Sequence, residues 1–544
     1  MRRSLIVVAV AAAAGIAGTY WYVANGGMIA RQRSAGWEAS IARRLLTISV
    51  PRSARQQKSP LTADANTAHL DAGQSLYRQK CEVCHATDGG GRTETAGGQY
   101  PPPLDLRSAE VQGLTDGELF YFIRNGIRNT AMPGWFLPDQ QIWQLVVYVR
   151  NLPKGALREG EPPAQAATGG YTGSAACRSC HAEVYERWAK TLMANVVRDP
   201  KAHPDAILPD LSKPDPLVHF TREEIAFVYG SKWKQRYFKQ VGSDYFPFPA
   251  QWDVNHKVWR PYKVAKGTDW WTQYFPDDNF QRPTGQLCDG CHSVNYDIKT
   301  KAVTEWNVGC ESCHGPGGTH VKQASAGNIL NPARMELVAA NDVCIQCHSQ
   351  GRPRVKPISG KYYDWPVGYR AGGKLSDVWT LEEHKLGEQT FTHFADGTAH
   401  KNRMQGNDYV TSAMYTHGVA CFTCHDAHGN GNNAILRKPA QQLCLDCHGA
   451  GSPNGPRAET LEQHTHHKAG SAGSECIACH MPSIEQTIAD VNVRSHTFRF
   501  IAPGTTESLK VPNACNSCHK DKTTQWSKDA LKTWSGMAPW RVAN

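Results

Sequence analysis

Every cysteine of this 544-residue chain lies in one repeated pattern, Cys-x-x-Cys-His, which occurs nine times and leaves none of the 18 cysteines over. The two thiols of such a motif can form thioether bonds to the vinyl groups of a porphyrin, and the histidine can bind its iron. An array of zinc sites would need the motifs paired into four-ligand sites, which the fixed trailing histidine does not explain. The pattern therefore predicts nine covalently bound haem c groups. The predicted attachment residues are Cys81, Cys84, Cys177, Cys180, Cys288, Cys291, Cys310, Cys313, Cys344, Cys347, Cys421, Cys424, Cys444, Cys447, Cys476, Cys479, Cys515 and Cys518.

The histidine that closes each motif is the predicted first axial ligand of its iron. A second ligand has to come from elsewhere, and of the 23 histidines 14 remain outside the nine motifs. Eight haems need at most eight of them, so the sequence alone does not say which histidine serves which iron. The predicted first ligands are His85, His181, His292, His314, His348, His425, His448, His480 and His519.

The formal charge of +10 does not indicate a nucleic-acid partner. Each haem brings two propionates, so nine oxidised haems lower the net charge to about +1. Lysines and arginines are expected to pair with those propionates. The chain also has no concentrated basic run, and no nucleic acid is predicted as a partner.

The first 30 residues are predicted to be a targeting segment. Arg2 and Arg3 precede the apolar stretch 5–24, which is about long enough to span a bilayer. Ala12–Ala14 also offers a small-residue cleavage site, so a removable signal peptide is the alternative to an uncleaved anchor. Both send the chain to the periplasmic side of a bacterial inner membrane, anchored there or free in the periplasm.

Haem motifs and changes in composition divide the chain into segments. A Gly-, Pro- and Ala-rich stretch separates the first motif from the other eight. We expect mainly α structure with short helices at the motifs, many irregular loops and a minor β insertion between the second and third motifs. The predicted segments are 1–30 (signal anchor), 31–68 (tether), 69–153 (a small monohaem helical domain), 154–172 (linker) and 173–540 (a haem-packed octahaem domain).

Residues 69–153 resemble class I cytochrome c. A helix leads into the first motif, Thr115 and Glu118 form a capping-box pattern, and an amphipathic helix is predicted over 139–152. The resemblance implies that Met132, in Ala-Met-Pro-Gly, is the second ligand opposite His85. Thioether ligation raises the reduction potential relative to a second histidine, so this haem is expected to be the most oxidising.

Residues 173–540 resemble the cytochrome c554-like multihaem family. The specific pieces are Cys310-Glu-Ser-Cys-His-Gly-Pro-Gly-Gly-Thr-His320, Gly418-Val-Ala-Cys-Phe-Thr-Cys-His-Asp-Ala-His428, Cys476-Ile-Ala-Cys-His-Met-Pro482 and Arg494-Ser-His496-Thr-Phe498. The resemblance implies that His320, His428 and His496 are second axial ligands. Further candidates are His467, with His466 as its alternative, His400 and His417.

The motif at Cys177 departs from that family pattern. Where a ligand histidine often follows, this chain has Met193. Three outcomes stay open: Met193 binds the iron, a histidine from elsewhere binds it, or the haem is five-coordinate and open.

Two functions follow from these features. The first is electron transfer through closely packed haems between a membrane or periplasmic donor and acceptor, with a redox protein or a quinol-linked membrane complex as partner. The alternative is a reductase or oxidase of small nitrogen or sulfur oxyanions at one open haem. For the alternative, the insertion could supply anion-binding or proton-donating groups, namely Lys232, Arg236, Tyr237, His256 and Arg260.

Overall fold

The computed structural model divides the chain into two compact units, Met1–Gly160 and Glu161–Asn544. Within the described residues, no helix is long and apolar enough to cross a membrane. The anchor predicted over 5–24 lies outside the described residues apart from Gly18, so it stays a prediction. The structure describes residues 18, 44–61, 67–86, 88–91, 99, 101–128, 130–135, 137–152, 169–263, 272, 282–432, 434–449 and 460–534.

The first unit is helical and closes around one apolar core. Its long helices bury one face each, and Ile142 and Leu145 are fully buried at the centre. Thr115 and Glu118 form the expected capping box at the start of α5. The described helices are α1 (Arg52–Arg55), α2 (Thr67–Lys80), α3 (Glu82–His85), α4 (Ala109–Gln112), α5 (Asp116–Asn125) and α6 (Asp139–Asn151).

Part of the segment predicted to be a tether packs against this core. The Arg55 guanidinium lies 3.2 Å from the Glu118 carboxylate, and the Thr115 hydroxyl donates to the Arg55 carbonyl. A Cβ on Gly117 would collide with the Ala54 carbonyl, so a glycine is needed for this approach. The folded part of the first unit therefore includes the residues of α1.

The second unit mixes short helices with small antiparallel sheets. Its largest sheet has five strands in the order β1-β2-β3-β4-β5 and occupies the insertion between the second and third motifs. The strands are β1 (Val197–Arg198), β2 (Phe227–Tyr229), β3 (Lys234–Val241), β4 (Asp244–Asp253), β5 (Val258–Pro261), β6 (Ser293–Val294), β7 (Glu305–Trp306), β8 (Gly351–Pro353), β9 (Trp379–Leu381), β10 (Ser483–Ile488) and β11 (Val491–Arg494).

The helices of the second unit are mostly one or two turns long, and most of the motifs begin, end or form one. Apolar side chains gather in several small clusters instead of one large core. The helices are α7 (Ala182–Trp188), α8 (Thr284–Leu287), α9 (Asp289–His292), α10 (Glu311–His314), α11 (Gly318–Lys322), α12 (Leu337–Ile345), α13 (Gln405–Val410), α14 (Ala413–Thr416), α15 (Cys421–Cys424), α16 (Ala440–His448), α17 (Leu461–Thr465), α18 (Cys476–His480), α19 (Pro503–Leu509), α20 (Ala514–Cys518) and α21 (Thr524–Lys532).

The fold is therefore mixed, with more sheet than the predicted minor insertion. Strands β3 and β4 pair over most of their length, with a register shift between Arg236 and Phe238. Alternate residues of β3, including Gln235 and Tyr237, are fully buried. The alternation of apolar and polar residues predicted strands here, but not a five-stranded sheet.

Candidate haem sites and their order

Several motif histidines have one ring nitrogen occupied and the other available. The Nδ1 atom lies 3.2 Å from the Leu104 carbonyl in His85, 2.7 Å from Leu330 in His314, and 2.8 Å from Ala434 in His425. A carbonyl at Nδ1 fixes the proton there, so Nε2 keeps its lone pair for a metal. This arrangement fits a histidine that binds iron.

The distances between histidine rings test whether a haem iron fits between them. A metal–imidazole bond is about 2 Å long and a ring nitrogen lies about 1 Å from the ring centre, so two imidazoles on one metal have centres about 6 Å apart. Five motif histidines face a non-motif histidine at this spacing. The pairs are His181–His320 (6.3 Å), His314–His428 (6.0 Å), His425–His496 (6.5 Å), His480–His464 (6.3 Å) and His519–His467 (6.1 Å).

The non-motif partners are oriented in the same way as the motif histidines. His320 Nδ1 lies 2.9 Å from the Asn328 side-chain oxygen, His496 Nδ1 lies 3.0 Å from the Arg494 carbonyl, and His467 Nδ1 lies 2.6 Å from the Thr465 carbonyl. Burial, and next the His425 ring, lowers the pKa of His496 to about 4. A neutral imidazole is the form that binds a metal.

His464 is not among the predicted ligands, yet its ring faces His480 at an interplanar angle of 6°. Its neighbour His466 adopts a left-handed conformation and stacks on Trp534 at 4.3 Å. The left-handed residue turns the chain between His464 and His467, which face two different motif histidines. The capping box at Thr460, which starts α17, is the sequence signal that could have placed His464 on a helix.

Other predicted ligands have different surroundings. His400 packs on Phe394 at 4.5 Å, His417 is exposed with Nδ1 2.6 Å from the Ala413 carbonyl, and His448 is exposed at the end of α16. The backbone of Met193 is fixed by a hydrogen bond that its carbonyl accepts from the Val308 amide. His320 faces His181, the histidine of the first motif in this unit. The side chain opposite this motif is therefore an imidazole and not the Met193 thioether.

The motif histidine His292 has a phenol ring as its neighbour. The centres of the His292 and Tyr229 rings lie 5.4 Å apart at an interplanar angle of 65°. The Tyr229 hydroxyl donates a hydrogen bond to Asp289, which belongs to the same motif as His292. Burial, followed by the charges of Arg403 and Arg236, lowers the pKa of His292 to about 4. This motif therefore lies in a buried, positively charged environment.

In the first unit, the segment that carries Met132 lies beside the haem motif. Trp135 packs into the core cluster that Cys81 also contacts, and the Lys80 ammonium lies 5.7 Å from the Trp135 ring centre. The Met132 carbonyl accepts from the Ile127 amide, which fixes the segment against the end of α5. Met132 opposite His85 stays a prediction, and this placement agrees with it.

Thiols of different motifs lie next to one another throughout the second unit. Hydrogen bonds join four pairs of these thiols, and electrostatic interactions between thiols connect three further pairs of motifs. A porphyrin attached at each motif would have its edge at these thiols, so neighbouring thiols would bring porphyrin edges side by side. The hydrogen-bonded pairs are Cys177–Cys310, Cys291–Cys347, Cys344–Cys421 and Cys444–Cys476, and the electrostatic pairs are Cys313–Cys344, Cys424–Cys444 and Cys479–Cys515.

These neighbours place the motifs in a row that follows their order in the chain, except for the motif at Cys288. Named by their first cysteines, the motifs of the row are Cys177, Cys310, Cys344, Cys421, Cys444, Cys476 and Cys515. The motif at Cys288 neighbours the motif at Cys344 and forms a branch. Exposed thiols occur at both ends of the row, at Cys180 and Cys518, and also at Cys447. The branch motif has no exposed thiol.

Two carboxylates, buried Glu311 and half-buried Glu305, hold the first two motifs of the row together. Glu311 accepts hydrogen bonds from the amides of Thr172, Gly173 and Gly317. Glu305 accepts from the amide and hydroxyl of Ser174. The end of the predicted linker is therefore fixed to the loop that carries the motif at Cys310.

The polar residues of the insertion have mostly structural partners. Asp253 is fully buried and accepts from Arg260 at 2.7 Å and from His256 at 2.9 Å. The second ring nitrogen of His256 lies 3.1 Å from Asp490, so both of its nitrogens are occupied. Tyr237 is in the core and donates to Gln235. These contacts argue against His256, Arg260 and Tyr237 as groups of an open pocket.

Three family models match parts of the chain. Residues 68–149 match "Cytochrome C oxidase, cbb3-type, subunit III", residues 255–315 match "Cytochrome c554 and c-prime", and residues 414–452 match a doubled CXXCH motif. The first match covers most of the first unit. The other two lie in the second unit.

Known proteins similar to this chain carry several haems. It is 24% identical over 215 residues to the multiheme cytochrome MtrA of Shewanella baltica, which covers 37% of this chain and 62% of MtrA. It is 23% identical over 403 residues to the dissimilatory sulfite reductase MccA of Wolinella succinogenes, covering 57% of this chain and 50% of MccA. The chain thus spans less than two thirds of either relative.

A solved structure has a similar fold. The outer cell wall cytochrome OcwA superposes with a TM-score of 0.54 at 22% identity, over 67% of this chain and 86% of OcwA. This likeness concerns the fold alone.

Proposed function

Because this chain is a multihaem c-type cytochrome, we propose that it carries electrons through nine covalently bound haem c groups between a donor and an acceptor outside the cytoplasm. The observation that carries this proposal is the row of neighbouring motif thiols in the second unit. Electron transfer needs cofactors close together, and the row supplies adjacent porphyrin edges from Cys177 to Cys515.

The residues of the chain suit the role of holding the cofactors. The cysteines would attach the porphyrins, and the facing histidines at 6.0–6.5 Å would leave room for an iron between them. A bound haem iron accepts and releases one electron. The protein sets ligands, spacing and exposure, which tune the potential of each iron.

Exposure suggests where electrons enter and leave the second unit. Cys180 and Cys518 are exposed at opposite ends of the row. The haem of the first unit, with Met132 as its second ligand, would have the highest potential and exchange electrons with one exposed site. The partner would be a redox protein or a quinol-linked complex at the outer face of the inner membrane, and residues 5–24 would anchor the chain there.

A second candidate function is reduction of a small nitrogen or sulfur oxyanion at one haem with an open position. It is supported by the name of the relative MccA and by the phenol ring, in place of an imidazole, next to His292. The motif at Cys288 is thus a better candidate for an open haem than the motif at Cys177, where His320 faces His181.

Low-temperature EPR of the fully oxidised protein, with and without nitrite or cyanide, separates the two functions. An electron carrier gives only low-spin signals that added anions leave unchanged. A high-spin signal that shifts with nitrite would favour the reductase. A haem count below nine by pyridine haemochrome and intact mass would contradict the proposed cofactor content.

A further inference from the structure

Cationic side chains from two parts of the second unit meet beside the branch motif. Lys234 and Arg236 are two residues apart on β3, so both point to the same face of the sheet. The Lys234 ammonium donates to the Thr487 carbonyl at 2.7 Å, and the Lys401 ammonium donates to the neighbouring Gln486 side chain at 2.6 Å. Strand β10 therefore brings the three cations together.

The described partners of these three cations carry no negative charge. They are a backbone carbonyl, the amide oxygens of Gln486 and Gln251, and aromatic rings. Burial, then the charges of Arg236 and Lys401, lowers the pKa of Lys234 well below its usual value. Clustered like charges in a buried place are unfavourable unless an anion compensates for them.

Two carboxylates near the cluster or its neighbouring motif have cationic partners of their own. Asp253 is the cross-strand neighbour of Lys234, but it accepts from Arg260 and His256. Asp364 lies 3.0 Å from Arg403. The ion pairs of these two carboxylates therefore join them to Arg260, His256 and Arg403, and not to Lys234, Arg236 or Lys401.

The cluster lies within electrostatic reach of one haem motif. Arg236 and Arg403 act on both Cys288 and His292. The Arg236 guanidinium also stacks on Tyr262, 3.9 Å from the ring centre, which orients it on the sheet. An anion held by the cluster would thus lie beside the motif that branches from the row.

We propose that Lys234, Arg236 and Lys401 form an anion-binding site beside the haem of Cys288 and Cys291. The site takes a carboxylate or a small oxyanion, because ammonium and guanidinium groups bind both through charge-assisted hydrogen bonds. Two sources share this chemistry: a propionate of the branch haem, or a free oxyanion from solution. The propionate source rests on the proposed function, whereas the oxyanion source does not.

The test uses the full-length holoprotein with Lys401→Gln, Arg236→Gln and the control Lys239→Gln, an exposed lysine on the same strand. Sulfate binding is measured by calorimetric titration at constant ionic strength, and the midpoint potentials are measured by EPR-monitored redox titration. Haem content is determined for each variant. A chain without covalent haem would refute the proposed function, while sulfate binding could still be measured.

If the occupant is a free oxyanion, the wild-type protein binds sulfate, and each cluster variant binds it about tenfold or more weakly because a charge-assisted hydrogen bond is lost. If the occupant is a propionate, sulfate does not bind, and the potential of one haem falls in the cluster variants, since a nearby positive charge favours the reduced iron. Lys239→Gln changes neither quantity. Absence of sulfate binding together with unchanged potentials in both cluster variants would overturn the proposal.

Discussion

In the first unit, the long helices pack one apolar core beside a single haem motif, whereas the second unit spreads small apolar clusters among eight motifs. Leu145 and Ile142 are fully buried with apolar neighbours in the first unit. In the second unit, the motif thiols and histidines are half-buried or exposed. Amphipathic helices therefore organise the first unit, whereas bound haems would supply much of the core of the second.

The largest expected effect comes from removing a haem at the branch point. Cys344→Ala with Cys347→Ala should disrupt the second unit, because these thiols neighbour Cys291, Cys313 and Cys421. Haem content, CD and stopped-flow reduction kinetics would report the loss.

The matched control is Cys81→Ala with Cys84→Ala, which removes the haem of the first unit alone. We expect the second unit to keep its spectra and its reduction kinetics in this variant. Equal damage to the second unit from both double variants would show that the two units do not differ in their dependence on haem.

Exchange of one predicted axial ligand tests the expected difference in potential between the units. Met132→His should lower the midpoint potential of the first haem, within the range of about 0.8 V that axial ligands span. Met193→Leu should leave every potential unchanged, because His320 faces His181. A shift caused by Met193→Leu would assign that methionine to an iron.

The pair His464 and His466 gives a sharper test within the second unit. His464→Ala should convert one low-spin haem signal to high-spin, since its ring is at ligand spacing from His480. His466→Ala should keep all signals low-spin and lower stability slightly through the lost stacking on Trp534. EPR of the oxidised variants distinguishes these outcomes, and the reverse result would exchange the two roles.

The smallest expected effect concerns the carboxylate that joins the first two motifs of the row. Glu311→Gln replaces a charged acceptor of three amide hydrogen bonds and should cost about 2 kcal/mol of stability. The loss of stability is measured as a lower midpoint of unfolding in guanidinium chloride, followed by the Soret CD signal. The control is Glu183→Gln, a substitution at an exposed residue. An unchanged unfolding midpoint for Glu311→Gln would show that the Glu311 carboxylate does not stabilise the contact between these motifs.

Some of this architecture follows from local sequence and some does not. The capping box at Thr115 and the closing helix, predicted over 139–152 and observed as Asp139–Asn151, depend on neighbours along the chain. The resemblance to the c554-like family implied His320 and His428 as second ligands but did not say which motif each serves. Each faces the histidine of a motif other than the one that it follows in the chain. Such pairings depend on contacts between distant segments, as does the five-stranded sheet, so periodicity could not predict them.

The contacts of Glu305, Glu311 and His320 also bear on the order of assembly. The motif at Cys177 is synthesised well before these three residues, which later fix its loop and face its histidine. A haem attached to Cys177 and Cys180 on the emerging chain would have only His181 as an axial ligand. If haem is attached at Cys177 before residue 320 is available, its iron would be open to solvent ligands until His320 reaches His181.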